Sequence, residues 1–147
     1  MSIKQIAVCT DFSDNAEKAF GTALEIAGQY KAKLVVLHVM PPIVNPVYSD
    51  FDSVVMTGPE KSIILELEER MEQEYGARIG ESVHYELTVL DGHVSTSIIK
   101  FLEENSIDLV VLGSFGLSGM GLVIFGSVAK RVSHKAPCSV MIVRERE

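Results

Sequence analysis

Tryptophan is absent from this sequence, cysteine occurs twice, proline occurs five times, and no apolar run approaches membrane-spanning length. Each shortage removes a class of explanation. Two cysteines cannot build the dense disulfide framework of a small secreted domain. Without about 18 consecutive apolar residues, no transmembrane helix is expected. Residues 1–6 (MSIKQI) lack the basic and apolar regions of a signal peptide, so the expected setting is the cytoplasm. Basic residues are in deficit, 13 against 20 acidic ones, for a net charge of −7. That argues against nucleic-acid or anionic-membrane partners, which need a basic footprint. Any phosphate must then be held by local N–H groups, a metal ion or a few placed side chains. Two familiar phosphate signatures are missing as well: neither Gly-x-x-x-x-Gly-Lys-Ser/Thr nor Gly-x-Gly-x-x-Gly after the first strand occurs.

What remains is ordinary for a protein with a real core: 147 residues, 47% hydrophobic and 22% charged. The length and the absence of an internal repeat predict one domain over 1–147. Short apolar runs alternate with helical spacings. Strands are expected at 3–10, 33–39, 83–90, 108–112 and 139–143. Between them, Ala16, Ala19, Phe20, Ala23, Leu24 and Ala27 are spaced for one apolar helix face. Ile63, Ile64, Leu67, Met71 and Tyr75 form a second such face, started by Pro59 and closed by Gly76 and Gly80. Val94, Ile98, Phe101 and Leu102 form a third, over 93–105 and after a turn at Asp91-Gly92. A fourth helix is expected over 125–134. Such βαβαβαβαβ alternation predicts a parallel, doubly wound, Rossmann-like α/β sheet with helices on both faces. Residues 41–58 hold three of the prolines and read as a long, mobile connection, either a lid near the ligand crevice or a spacer.

The most informative stretch is Gly113 to Ser127, which follows the fourth strand and opens the fourth helix. Its spacing is Gly113-x-x-Gly116, nine residues, then Gly126-Ser127. Glycine lets a ligand approach bare backbone, successive N–H groups can form an anion-binding concavity, and a helix start adds free N–H groups and a positive dipole end. Ser127 can add a hydroxyl donor. At the end of the first strand, Asp11 is placed either to accept ribose hydroxyls or to help cap the next helix beside Ser13 and Asp14, where Asp14 and Glu17 have capping-box-like spacing. No nucleophile-and-base arrangement is apparent, and no enzyme activity beyond slow ATP hydrolysis is expected. His38 reads as a packed histidine in a strand and Cys9 and Cys138 as reduced, buried thiols.

The glycine spacing resembles the ATP-binding signature of the universal stress protein family. Residues 6–13 (IAVCTDFS) look like that family's first strand and acidic loop, 34–39 (LVVLHV) like its second strand, and 136–143 (APCSVMIV) like its last. The resemblance implies a five-stranded sheet of order 3-2-1-4-5 with four helices, in which Cys9 and Cys138 lie on strands that are not neighbours. It implies an adenine-nucleotide-binding stress-response sensor or regulator. ATP, or ADP or AMP, with Mg²⁺ arriving on the phosphates, would lie in a crevice formed by Thr10, Asp11, Phe12, Val39, Met40, Gly113, Ser114, Gly116, Gly126, Ser127 and Val128. Within it, Asp11 and Gly113 would hold the ribose, Val39 the base, and Gly116, Gly126, Ser127 and Val128 the phosphates. A homodimer through the last strand, Val140, Met141, Ile142 and Val143, is implied too, unless Arg144 and Arg146 guard that edge. The chain departs from the family at Phe115, where arginine or histidine is frequent, and at Met120-Gly121, where a basic or polar pair is frequent. Residues 117–125 carry no charge. These departures favour a shorter nucleotide, or a nucleotide-free dimeric interaction module, over tightly held ATP, with Lys130 and Arg131 in partial compensation.

Overall fold

A computed structural model describes residues 2–40, 61–114 and 126–144. Five strands make one sheet: β1 (Gln5–Cys9), β2 (Lys33–Met40), β3 (Tyr85–Asp91), β4 (Leu109–Gly113) and β5 (Ser139–Val143), in the order β3-β2-β1-β4-β5. Every pairing is parallel, as expected when each strand is followed by a helical crossover. Ile6 pairs with Leu34 on one side and Leu109 on the other, so β1 is central.

Alternation along the strands divides the core into two layers, because successive side chains leave a strand on opposite faces. Ile6, Val8, Leu34, Val36, Leu109 and Val111 pack beneath α1 (Asp14–Tyr30), where Ala19, Phe20, Ala23 and Ala27 meet them. Ala7, Val35, Leu37, Val110 and Leu112 pack on the other face beneath α4 (Val94–Glu104) and α5 (Ser127–Lys135), against Ile98, Leu102 and Val132. The small alanines of α1 let its axis lie close to the sheet. The face expected on the second helix is only partly buried, with Met71 and Tyr75 fully inside and Ile63, Ile64 and Leu67 half-buried.

That second helix runs further than expected. Lys61–Met71 (α2) continues through a π-helical turn, Glu72–Gly76, into Ala77–Ile79 (α3) without a break. Gly76 is therefore inside the helical stretch, and only Gly80, in the left-handed region at φ 78°, ends it. With α2 to α3 taken as one stretch, the described residues hold four helical stretches, as expected. Asp91 closes β3 rather than starting a turn. Gly92, at φ 131°, makes the bend and donates its N–H to the Met40 carbonyl at 3.0 Å. Pro59 and the connection over 41–58 lie outside the described residues. At the end of the sheet away from the crevice, the Lys4 and Gln5 N–H groups donate to Asp108 Oδ2 at 2.8 and 2.9 Å and hold its carboxyl below the usual carboxylate range. Cys9 and Cys138 are both free. Burial, with Cys138 adding to it, pushes the Cys9 thiol up to about 12, so it stays protonated.

Candidate functional site

The carboxyl ends of β1, β2 and β4 share one edge of the sheet. Strand order reverses between β1 and β4, which is where an open α/β sheet leaves a crevice. The register Val8 to Val111 places Gly113 level with Thr10. Ten of the eleven site residues expected from sequence lie along this edge; Gly116 is outside the described residues, as are Phe115 and 117–125.

Loop one is held almost entirely by the protein itself. Thr10 is 6% exposed. Its N–H donates to the Leu37 carbonyl at 2.8 Å, and its carbonyl accepts from His38 Nδ1 at 2.8 Å. That second bond places a proton on Nδ1. Thr10 Oγ1 accepts the Phe12 N–H at 3.0 Å and shares a hydrogen bond with the Tyr75 hydroxyl from the π-helical turn. Burial raises the Tyr75 hydroxyl above its ordinary range, with the Thr10 bond pulling the other way. Phe12 sits in the left-handed region at φ 64°, a costly conformation for a bulky residue. Its ring meets His38 at 4.7 Å and Tyr75 at 6.0 Å between centroids, and the Arg70 guanidinium lies 3.8 Å above it. These contacts hold the backbone where it would not otherwise stay. Phe12 thus faces α1 and the π-helical turn, along a cavity of about 330 Å³ that Ser13, Glu17 and Arg78 also line.

The start of α1 is satisfied too. Ser13 is the N-cap, and its Oγ accepts the Ala16 N–H at 3.2 Å. The expected Asp14–Glu17 capping box does not form, because the helix begins one residue earlier in cap numbering and Ala16, not Glu17, occupies the third position. Asp11 Oδ1 accepts the Ser13 N–H at 3.0 Å, an Asx-type turn that aims the chain into the helix. So the capping alternative for Asp11 holds in part.

Loop four is anchored at its two ends. Ser114, 4% exposed, donates its N–H to the Val143 carbonyl at 3.1 Å, and its own carbonyl accepts the Gly126 N–H at 2.9 Å. The second bond fixes the start of α5 against the end of β4. Gly113 has a packing role that the glycine spacing did not reveal. A Cβ there would stand 2.9 Å from the backbone carbon and oxygen of Asn15 in α1, so the close approach of helix and strand requires glycine. Gly126 is the N-cap of α5, no side chain among the described residues caps the helix, and its first turn holds no acidic residue. Ser127 is exposed and Val128 half-buried. The first N–H groups of α5 therefore point out of the helix end with no side-chain acceptor at the cap among the described residues. On the far side, Val39 and Met40 are 7% and 8% exposed at the end of β2.

Sequence reasoning missed Tyr75 as the anchor of loop one and the tie from His38 to Thr10. Both join residues distant in the chain, and no local spacing announces them. Among the described residues, no three His, Cys, Asp or Glu side chains converge to hold a metal ion, and no helix is long and apolar enough to cross a membrane.

The universal stress protein family model matches residues 2–144. A universal stress protein of Methanocaldococcus jannaschii is 30% identical over 146 residues, spanning 97% of this chain and 82% of that protein. Among solved structures, the universal stress protein UspA from Lactobacillus plantarum superposes with a TM-score of 0.71 at 23% identity, over 98% of this chain and 99% of that one. The universal stress protein from Archaeoglobus fulgidus, determined in complex with dAMP, gives a TM-score of 0.67 at 24% identity, over 97% and 98%.

Proposed function

This chain belongs to the universal stress protein family, and on that premise we propose that it binds an adenine nucleotide at the β1/β4 crevice and acts as a cytoplasmic stress-response sensor or regulator. The observation that carries the reading is the start of α5. It is uncapped by any side chain among the described residues, free of acid in its first turn, and fixed to β4 through Gly126 and Ser114 at the switch point of the sheet. A helix N-terminus of this kind suits an anionic group. In this reading the N–H groups of Ser127 and Val128 and the Ser127 hydroxyl receive phosphate oxygens, with Gly116 joining them, while Gly126, its own N–H held by the Ser114 carbonyl, lets the phosphates approach the bare backbone. Asp11 and the Gly113 backbone take the ribose, and Val39 and Met40 border the base. Thr10, Phe12 and Ser114 shape the crevice from behind. The dAMP complex of the Archaeoglobus fulgidus relative supports adenine as the base. Mg²⁺ enters with the phosphates, since magnesium leans on them and on water. The two unpaired thiols suit a reducing compartment.

The experiment begins with protein purified without added nucleotide, denatured to identify any released small molecule by chromatography and mass spectrometry. Thermal melts of the emptied protein follow, with Mg-ATP, ADP and AMP. A ligand at 100 times its dissociation constant should stabilise by about 2.7 kcal/mol, a rise of about 5 to 10 °C for a chain of this size. Asp11→Ala and Gly126→Val should abolish it. Absence of copurified nucleotide, together with no shift at millimolar ligand, would overturn the reading.

A second reading has its own support. β5 has one strand neighbour, and Met141 on it is 36% exposed. An open apolar edge invites pairing, and a homodimer through 140–143 would make the chain an interaction module with or without nucleotide. Sedimentation of the wild type against Met141→Lys separates dimer from monomer.

A further inference from the structure

Charge is unevenly divided between the two layers of the fold. From Leu109 to Arg144 the sequence holds four Lys or Arg and no Asp or Glu, in a chain of net charge −7. The helix of that stretch is α5, on which Lys130, Arg131 and His134 recur at helical spacing as one exposed stripe, with Lys135 beside it. The opposite sign gathers on α2 and the turn that follows it. From Lys61 to Gly76 there are five Glu against one Lys and one Arg, and Leu65, Glu68, Glu69 and Glu72 make an exposed stripe of the same kind. Among the described residues Lys130, Lys135, Glu68 and Glu69 make no ion pair. Arg70, the cation nearest those acids along the helix, is taken up by Glu74 and the Phe12 ring. Each stripe also repels itself: Glu68 and Glu72 are four residues apart, as are Arg131 and Lys135, and like charges at that spacing destabilise a helix. Lys130 stands in the first turn of α5, where the helix dipole disfavours a cation. A stripe of the other sign laid across either helix would relieve these repulsions.

One copy cannot bring its own two stripes together. α2 lies beside β3 and reaches the α1 layer of the core through Met71, whereas α5 lies beside β5 in the other layer. β3 and β5 are the opposite edges of the sheet. We infer that the basic face of α5 in one copy docks on the acidic face of α2 in a second copy, as a head-to-tail contact. The two faces differ, so the contact is heterologous, and each added copy leaves one face of each sign unmatched. Several charges of one sign meet several of the other, which is worth more than an isolated surface pair. The aliphatic stems of Lys130 and Lys135 supply apolar cover for Leu65, which is 59% exposed. This contact is distinct from pairing of two β5 edges, which joins like to like, and it needs no nucleotide. The net negative charge of each copy opposes it at long range, so the association should be weak.

The test is sedimentation equilibrium of the full chain over a range of concentrations, in a Met141→Lys background that blocks edge-to-edge pairing of β5. In about 0.1 M salt, where repulsion beyond about 10 Å is screened but facing charges still attract, the average mass should rise with concentration and show no plateau at the dimer. In about 1 M salt, where charges reach only about 3 Å, it should fall back to that of the monomer. Adding Lys130→Glu with Lys135→Glu, or instead Glu68→Lys with Glu69→Lys, should weaken the association roughly tenfold or more. All four positions are exposed, and unchanged melting temperatures would show that the variants fold. Mixing the two charge-reversed proteins should restore association, because each then offers the face that the other lacks, while both keep a net negative charge. A mass independent of concentration in about 0.1 M salt, association that survives both reversals, or a mixture that stays monomeric would each overturn the inference.

Discussion

Two helices begin at the same edge of the sheet, and they begin in opposite ways. The start of α1 has a serine cap, two acids in its first turn, an Asx turn before it and an aromatic cluster beneath it. The start of α5 has a glycine cap, no acid, no capping side chain and an arginine reaching back from the next turn. The first start completes itself. The second has no side-chain cap among the described residues, and places positive charge where a self-sufficient helix would place negative charge. Helix propensity does not explain the contrast, since both helices are amphipathic segments packed on the same sheet. Under the proposed nucleotide-binding function, the contrast separates a scaffold half of the crevice from a ligand-facing half.

The contrast can be pressed at its joint, where the scaffold half touches the ligand half. Gly113→Ala drives a methyl group into the Asn15 backbone, which cannot swing away as a long side chain could. It should cost about 1 to 3 kcal/mol in urea denaturation with the m-value unchanged, and a cost below about 0.5 kcal/mol would mean that the two halves are not locked together there. Next in size is Tyr75→Phe, which removes the buried partner of the Thr10 hydroxyl and should cost about 1 kcal/mol. The same variant should leave adenosine affinity unchanged if loop one is scaffold, and a tenfold loss would put Tyr75 in the binding half. The smallest effects sharpen the contrast most directly. Ser13→Ala should cost about 1 kcal/mol through its lost cap, whereas Ser127→Ala, with no cap bond to lose, should fall within about 0.5 kcal/mol of the wild type and weaken nucleotide instead. Equal stability losses at the two serines would erase the distinction.

Much of this was legible in the sequence, and the reasons are local. Strand β5 was bounded correctly because Pro137 and Arg144 bracket a short run that is apolar from Val140 to Val143. The inward face of α1 followed from alanine spacing, and the order of the sheet followed from the resemblance of its first, second and last strands to one family. The capping box was misplaced because Asp14 and Glu17 have the right spacing one residue too late, and spacing alone cannot tell which of Ser13 and Asp14 leaves the helix. The end of the second helix was misjudged because Gly76 looks like a terminator, while its buried position in a π-helical turn depends on packing against the rest of the fold. Gly113 was read as a ligand residue, and its contact with Asn15, 98 positions away in the chain, has no sequence signal at all. The same holds for Thr10 with Tyr75: a threonine at a strand end and a tyrosine on a helix are unremarkable until the fold brings them together.

The π-helical turn has a consequence for how this chain tolerates change at the level of its gene. A wide turn holds one residue more than an α-helical turn would, and here it lets Met71, Tyr75 and Ile79 recur at intervals of four and all reach the core. A single-codon deletion within 72–76 would remove that extra residue and restore ordinary winding, leaving Arg78 beside Glu17 and Ile79 in the core. The same deletion in the middle of α4, wound as α-helix throughout, would turn everything beyond it by about 100° about the helix axis and carry Leu102 out of the core. The wide turn is where descent can drop a codon and keep the fold.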